Sequence, residues 1–173
     1  MRKVVLYIGV SLDGYIARRD GSIDWLEEAQ GEGDNGYSEF LKTIDTVIMG
    51  KKTYDHVLEL TNHKYPYEGM KSFIYTRSES RTEGDLIFTK EEPEALIDHL
   101  KKEEGADIWM VGGAEILDDF MKKDLIDEYI ITTVPVILGD GITLFRPGNP
   151  ETKLAYKRTV RFGDYVQSHY TRS

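Results

Sequence analysis

Cysteine is absent from this chain of 173 residues. Its absence excludes disulfide bonds, thiol nucleophiles, iron–sulfur clusters and cysteine-ligated zinc. The four histidines are scattered along the chain and show no spacing typical of a metal site; they are His56, His63, His99 and His169. We therefore expect no metal ion in this protein.

Long hydrophobic runs and an excess of positive charge are also missing. No apolar run approaches the roughly 18 residues that a membrane-spanning helix needs, and residues 1–10 lack the apolar core and cleavage site of a signal peptide. The chain has 22 Lys and Arg against 31 Asp and Glu, a net charge of −9, whereas general nucleic-acid binders are more often basic. We expect a cytoplasmic protein whose partner is a small molecule, not a membrane or a nucleic acid.

The order of strand-like and helix-like segments predicts the fold class. The length suits one domain, here residues 1–173, with a substantial core. Strand patterns alternate with helix patterns as far as about residue 121, and the last third is almost entirely strand-like, with a hairpin pattern around Phe162-Gly163. This predicts a three-layer α/β/α protein with a mixed, mostly parallel central sheet and a C-terminal antiparallel hairpin.

Two short apolar runs end in glycine and pass directly into helix-like patterns, over residues 47–54 and 108–116. A strand that turns through glycine into a helix presents free backbone N–H groups and the positive end of the helix dipole to an anion. Glycine leaves the space that a Cβ would fill. A Gly-Gly pair by itself is equally consistent with a tight turn, but the repeated form of the segment favours an anion or nucleotide site.

Both segments, in this order and at this spacing, resemble the dihydrofolate reductase superfamily. Residues 47–54 resemble its strand–Met–Gly–basic–x–Thr–aromatic element, and residues 110–115 resemble its second glycine element. Residues 15–17, with Trp25 downstream, are similar to its opening strand and mobile loop. The resemblance implies a dihydrofolate-reductase-like fold.

Other segments resemble one branch of that superfamily, the riboflavin-pathway reductase or RibD C-terminal domain. These segments are residues 10–14, 133–141 and 144–145. Tyr15 stands where that branch usually has lysine, and the cysteine-ligated zinc deaminase that usually accompanies it is absent. The chain is therefore identified as a stand-alone member resembling this branch.

The resemblance implies NADPH as cofactor, lying across the carboxyl ends of the strands. The pyrophosphate would contact Gly50, Lys51, Lys52 and Thr53. The pyrophosphate and nicotinamide side would contact Val111, Gly112, Gly113, Ala114, Glu115 and Ile116. The adenosine end would contact Tyr75, Thr76, Arg77 and Ser78, with Arg77 pairing with a 2′-phosphate. The nicotinamide pocket would be lined by Gly9, Ile16 and Ala17. The plainer interpretation of Lys51, Lys52 and Arg77 is solvated surface charge.

The substrate would lie between the first strand, the Trp25 loop and a helix beginning near Tyr37. The predicted substrate contacts are Trp25, Tyr37 and Phe40, because aromatic rings stack on flat heterocycles. Folate-reducing relatives place an acid shortly after the loop tryptophan to serve the substrate ring. The candidates here are Glu27, Glu28 and Asp13, whose plainer interpretations are surface carboxylates and, for Asp13, a turn former.

The resemblance implies an NADPH-dependent oxidoreductase that transfers hydride to a nitrogen heterocycle or imine. The substrate would be like 5-amino-6-(5-phosphoribosylamino)uracil, from the riboflavin pathway, or pterin-like. Dihydrofolate reductase, a nucleotide-binding protein of the same fold without turnover, and a flavin-linked regulator stay open as alternatives. We also expect a homodimer, because the exposed edge of a mixed sheet needs cover and the riboflavin branch resembles dimer-forming proteins.

Overall fold

The computed structural model describes residues 1–28 and 31–173, without the side chains of Glu27 and Glu28. The described strands are β1 (Val4–Ser11), β2 (Tyr15–Ala17), β3 (Ile44–Gly50), β4 (Lys71–Tyr75), β5 (Arg81–Glu83), β6 (Leu86–Thr89), β7 (Asp107–Gly112), β8 (Glu128–Val134), β9 (Ile142–Thr143), β10 (Leu154–Phe162) and β11 (Tyr165–Arg172). The described helices are α1 (Asp24–Glu28), α2 (Tyr37–Leu41), α3 (Lys51–Leu60), α4 (Pro93–Lys102) and α5 (Ala114–Lys122).

Nine strands form one twisted sheet in the order β10-β11-β8-β1-β7-β3-β4-β6-β5. The six strands from β8 to β6 in this order are parallel to one another. β11 is antiparallel to β8, and β5 is antiparallel to β6. β10 and β11 form the C-terminal hairpin, and β2 and β9 form a small separate antiparallel sheet. The predicted mixed, mostly parallel sheet and C-terminal hairpin are confirmed.

The central strands are apolar on both faces because each face is covered. On one face, Leu6 and Met110 pack with Leu117 and Phe120 of α5 and with residues of α4. On the other face, residues such as Val47 pack with Phe40 of α2 and residues of α3. Strands buried on both sides read as continuous hydrophobic runs rather than as an alternation. This arrangement is the predicted three-layer architecture.

A buried arginine forms hydrogen bonds and an ion pair at the amino-terminal edge of the sheet. Arg2 is 6% exposed. Its Nε donates to the carbonyl of Ala106 at 2.7 Å and its Nη1 to the carbonyl of Leu100 at 3.2 Å. Its Nη2 donates to Thr46 Oγ1 at 2.7 Å and pairs with the Asp45 carboxylate. A guanidinium this deeply buried is stable only because its donors are satisfied.

Three local predictions from the sequence are wrong. The Gly-, Asp- and Glu-rich residues 18–36 predict one mobile loop and the polar residues 76–84 predict another loop, but the first segment contains α1 and the second contains β5. Thr89 is a residue type that favours an N-cap and so predicts a helix directly after it, but the helix begins at Pro93, where proline occupies the first turn because it needs no N–H partner there. Thr89 instead ends β6.

Candidate functional site

The two glycine segments end neighbouring strands. β3 and β7 pair in parallel, with Met49 opposite Gly112. Helices α3 and α5 begin immediately afterwards, with Gly50 and Gly113 as extended N-cap residues that make no side-chain capping bond. A Cβ at Gly50 would lie only 4.0 Å from the backbone nitrogen of Gly113. Two helix N-termini therefore converge at one point on the carboxyl edge of the sheet.

The space between these turns requires glycine. Gly112 has φ +123°, a conformation that residues with a side chain rarely adopt. A Cβ there would meet no described protein atom within 4 Å, so this side of the turn is open. A Cβ at Gly113 would lie 3.1 Å from Thr53 Oγ1, which is closer than ordinary van der Waals contact. We call this region, residues 50–53 and 112–115, the glycine cradle.

Of the two lysines in the glycine cradle, one forms an ion pair with a neighbouring carboxylate. Lys51 Nζ pairs with Asp55 at 2.5 Å and lies 5.6 Å from the centroid of the Tyr54 ring. Lys52 is exposed and forms no ion pair with any described residue. The helix ends supply further positive potential, since aligned peptide dipoles leave about half a unit charge at each N-terminus. The cradle is suited to an anion such as a phosphate.

In the second glycine segment the side chains and the backbone face different ways. Ala114 and Ile116 are buried, and Val111 packs against the sheet core. Only the backbone of these residues is therefore available to a ligand. Glu115 alone in this stretch extends an exposed side chain, and its Oε1 lies 2.8 Å from Arg77 Nη2.

The segment after β4 forms the next wall of the site. Thr76 N donates to the Thr89 carbonyl at 3.1 Å, and Thr76 Oγ1 accepts from Ser78 N at 3.1 Å. The Tyr75 hydroxyl is buried and has no hydrogen-bond partner among the described residues. Burial, reinforced by nearby carboxylates such as Glu91, raises the pKa of Tyr75. Its hydroxyl therefore stays protonated.

The structure does not support Trp25 and Phe40 as rings that stack on a substrate. Trp25 is fully buried against Val134 and Tyr165. Phe40 is buried and stacks on Tyr7, with ring centroids 4.0 Å apart. Both rings are covered because α1 and α2 lie flat on the protein core. Tyr37 is half-buried, with its ring edge-on to Trp109 and 6.3 Å from the ring of Tyr7 in β1, and its predicted contact with a substrate stays a prediction.

The nicotinamide-side residues lie near β1 and β2. A Cβ at Gly9 would lie 3.1 Å from Leu26 Cδ2, so the short helix α1 covers this glycine. Ala17 is buried and pairs with Ile142 of β9, while Ile16 packs against the core. Their predicted contact with a nicotinamide ring stays a prediction.

Asp13 has a structural role. Its carboxylate accepts from Ser11 Oγ at 2.6 Å and from the backbone N–H groups of Leu138 and Gly139 at 3.1 and 2.8 Å. The Ser11 hydrogen bond, helped by these backbone donors, lowers the pKa of Asp13. A carboxylate held ionised in this way is poorly suited to donate a proton. The predicted roles of Glu27 and Glu28 lie outside the described side chains.

A polar network beside Gly9 was missed by the sequence interpretation. Gln167 is buried, and its Nε2 donates to Thr132 Oγ1 at 3.1 Å while its Oε1 lies 2.8 Å from His169 Nε2. Thr132 is the register partner of both Gly9 and Gln167. Burial lowers the pKa of His169, so its imidazole is neutral near pH 7. The signal in the sequence was a glutamine at an inward position of the alternating hairpin.

Other regions of the described chain carry less chemistry. Two surface depressions, of about 350 and 450 Å³, lie at the opposite edge of the sheet around Arg172. Within residues 1–28 and 31–173, no group of three or more His, Asp or Glu side chains is placed to hold a metal ion. None of the described helices has the length and apolar character to cross a bilayer.

The fold is that of an α/β protein, and its glycine cradle, at the carboxyl edge of a parallel sheet, is suited to an anion. The sequence model of the family described as "RibD C-terminal domain" matches residues 2–168. The chain belongs to this family. It is 53% identical over 173 residues, 99% of both chains, to "Uncharacterized protein YwjB" of Bacillus subtilis strain 168.

Solved structures share the fold. A "Putative riboflavin biosynthesis protein" from Shewanella sp. PV-4 superposes with a TM-score of 0.88 at 27% identity, with 99% of both chains covered. The "diaminohydroxyphosphoribosylaminopyrimidine deaminase/5-amino-6-(5-phosphoribosylamino)uracil reductase" from Thermotoga maritima superposes with a TM-score of 0.72 at 15% identity. The match covers 99% of this chain and 57% of the Thermotoga chain, so it shows a common fold alone.

Proposed function

We propose that this protein is an NADPH-dependent reductase that transfers hydride to a nitrogen heterocycle or imine. The observation that carries the proposal is the convergence of two uncapped helix N-termini on the glycine cradle. A dinucleotide carries two adjacent phosphates, and each helix end supplies backbone N–H groups and positive potential to one anionic group. Membership of the RibD C-terminal domain family supports an oxidoreductase.

The residues present fit a dinucleotide phosphate. Gly50, Lys52 and Thr53 would hold the pyrophosphate from α3, and Gly112 and Gly113 would hold it from α5. The side chain of Arg77 is 92% exposed, so its guanidinium could reach a 2′-phosphate by giving up the surface ion pair with Glu115. Tyr75, Thr76 and Ser78 would border the adenosine end. The cofactor supplies the hydride; the protein positions it and excludes water.

The substrate proposed is like 5-amino-6-(5-phosphoribosylamino)uracil or pterin. The name of the Thermotoga structure includes reduction of that uracil. The polar network of Thr132, Gln167 and His169 beside Gly9 supports a flat ring with hydrogen-bonding edges, because amide and hydroxyl groups can both donate and accept. Tyr37 borders the same face of the sheet.

A titration with NADPH and, in parallel, NADH tests the proposal. Binding of NADPH, followed by substrate-dependent NADPH oxidation with one member of a panel of pyrimidines, pterins, dihydrofolate and imines, is the expected result. Failure of the protein to bind either nucleotide would refute it. The test also distinguishes dihydrofolate reductase, since activity would then be confined to dihydrofolate. A yellow purified protein that binds neither nucleotide would indicate the flavin-linked alternative.

One observation favours the second candidate, a nucleotide-binding protein without turnover. Asp13 is engaged by three hydrogen-bond donors, so this carboxylate is not poised to protonate a substrate. That candidate predicts NADPH binding without oxidation across the whole panel.

The proposed assembly is a homodimer formed through the C-terminal hairpin. Leu154, Tyr156 and Val166 of this hairpin are exposed, and β10 ends the sheet. An uncovered edge strand with apolar side chains is a surface on which a second copy can pair.

A further inference from the structure

An exposed ion pair spans the glycine cradle. Arg77 lies two residues after β4, and Glu115 is the second residue of α5; Arg77 Nη2 and Glu115 Oε1 are 2.8 Å apart. In the sheet, β4 and β7 are the two neighbours of β3. The pair therefore passes across the carboxyl end of β3, where Gly50 begins the cradle.

The position of Glu115 conflicts with a bound 2′-phosphate. Its carboxylate occupies the guanidinium of Arg77, the group that a 2′-phosphate would need. In dinucleotide sites an acidic side chain typically accompanies a ribose 2′-hydroxyl, whereas an arginine accompanies a 2′-phosphate. This chain carries one of each, and they are paired.

We infer that Glu115 sets the coenzyme preference of this site by competing with the 2′-phosphate for Arg77. Glu115 weakens NADPH binding and affects NADH less, so the discrimination between the two coenzymes is smaller than Arg77 alone would give. The inference rests on the proposed function, because it requires that the cradle binds a dinucleotide.

The size of the effect follows from the exposure of the pair. The side chains of Arg77 and Glu115 are 92% and 61% exposed. Ion pairs this open to water contribute little, and removing one corresponds to about a two- to five-fold change in an equilibrium constant. Glu115→Gln should therefore tighten NADPH binding by about two- to five-fold, and the gain should shrink at high salt because screening weakens exposed charges.

The experiment is a set of fluorescence titrations with NADPH and NADH. The proteins are the wild type, Glu115→Gln, Arg77→Gln and the double variant. Arg77→Gln should weaken NADPH binding and leave NADH unchanged, and it should abolish the gain from Glu115→Gln, as a double-mutant cycle would report for a direct pair. Glu83→Gln is the control, because it removes an Arg81–Glu83 pair that also measures 2.8 Å and whose side chains, 49% and 57% exposed, also face solvent. It should change neither affinity.

The failure of this inference is distinct from failure of the proposed function. If the wild type binds NADPH but Glu115→Gln binds it no more tightly, the competition is refuted and the reductase proposal stands. A gain that persists in the Arg77→Gln background, or that is equal for NADH, also overturns it, since the effect would then be a general one of charge. If the wild type binds neither nucleotide, the proposed function fails and the inference fails with it.

Discussion

A side chain at Gly113 would point at Thr53, so replacing this glycine with a larger residue should block the glycine cradle. The backbone of Gly113 is extended, with φ −76° and ψ −164°, so any residue can adopt it. The obstacle is steric, because a Cβ would lie 3.1 Å from Thr53 Oγ1. Valine at position 113 adds two further methyl groups beyond that Cβ. The two helix N-termini would be pushed apart.

Gly113→Val should have two separate effects, one on the free energy of unfolding and one on the Kd for NADPH. Overpacking of this kind costs about 1–3 kcal/mol of unfolding free energy, or roughly 2–12 °C in Tm for a chain of this size. Loss of one charge-assisted hydrogen bond to a phosphate costs about 1.5–3 kcal/mol, which is roughly a 10- to 100-fold rise in the Kd for NADPH. Differential scanning calorimetry measures the first effect, and fluorescence titration of the folded variant measures the second.

Thr53 provides the control for this prediction. Gly113→Ala meets only the Thr53 hydroxyl, so adding Thr53→Ala should recover the stability that Gly113→Ala loses. NADPH binding should be weaker in that double variant than in Thr53→Ala alone, because the alanine methyl group still occupies the cradle. The reasoning is refuted if folded Gly113→Val binds NADPH within about two-fold of the parent, a difference too small for a lost phosphate contact.

Three further predictions concern regions away from the glycine cradle. Arg2→Met should lower the free energy of unfolding, measured in urea, by about 2–4 kcal/mol. This is less than the cost of breaking a fully buried ion pair, because Asp45 is partly exposed. The Kd for NADPH should not change, and an unchanged urea midpoint would contradict the prediction. The pKa of Asp13 is depressed below its unfolded value of 3.8, so the stabilising effect of this carboxylate is present above that pH and is lost as pH falls through the folded pKa. Asp13→Asn should therefore unfold at a lower temperature than the wild type at pH 6 but approach the wild type in acid. Equal Tm differences at both pH values would argue against this. Tyr156→Glu should convert a dimer to a monomer in sedimentation, whereas the exposed-helix control Leu60→Glu should not.

The local elements of the cradle could be predicted because their signals are local. An apolar run ending in glycine predicted each strand, and the helical pattern beyond it predicted that a helix follows, as α3 and α5 do. The adjacency of the two glycine turns depends on the order of strands in the sheet, which no local pattern contains. The resemblance to a known fold supplied that order, and the pairing of β3 with β7 agrees with it.

The predictions that failed depend on contacts distant in sequence. Trp25 is buried in part by Tyr165 of the last strand, 140 positions later, whereas the residues next to Trp25 in the sequence suggested a loop. The burial of Arg2 has no local signal, because its partners follow at positions 45, 100 and 106. The Arg77–Glu115 pair was missed for the same reason: two exposed charges, each ordinary alone, are brought together by the strand order.

The strand order also determines when the sheet can form. β1 lies between β7 and β8, and its first pairings join Val4 to Ile108 and Val5 to Glu128. During synthesis from the amino terminus, more than half of the chain must therefore emerge before the first strand finds either neighbour. Such long-range parallel pairing is slow to form and leaves hydrophobic strand edges open in the meantime. Among the described strands of the large sheet, β1 thus waits longest for a neighbour, and its apolar residues stay open to other contacts during that interval.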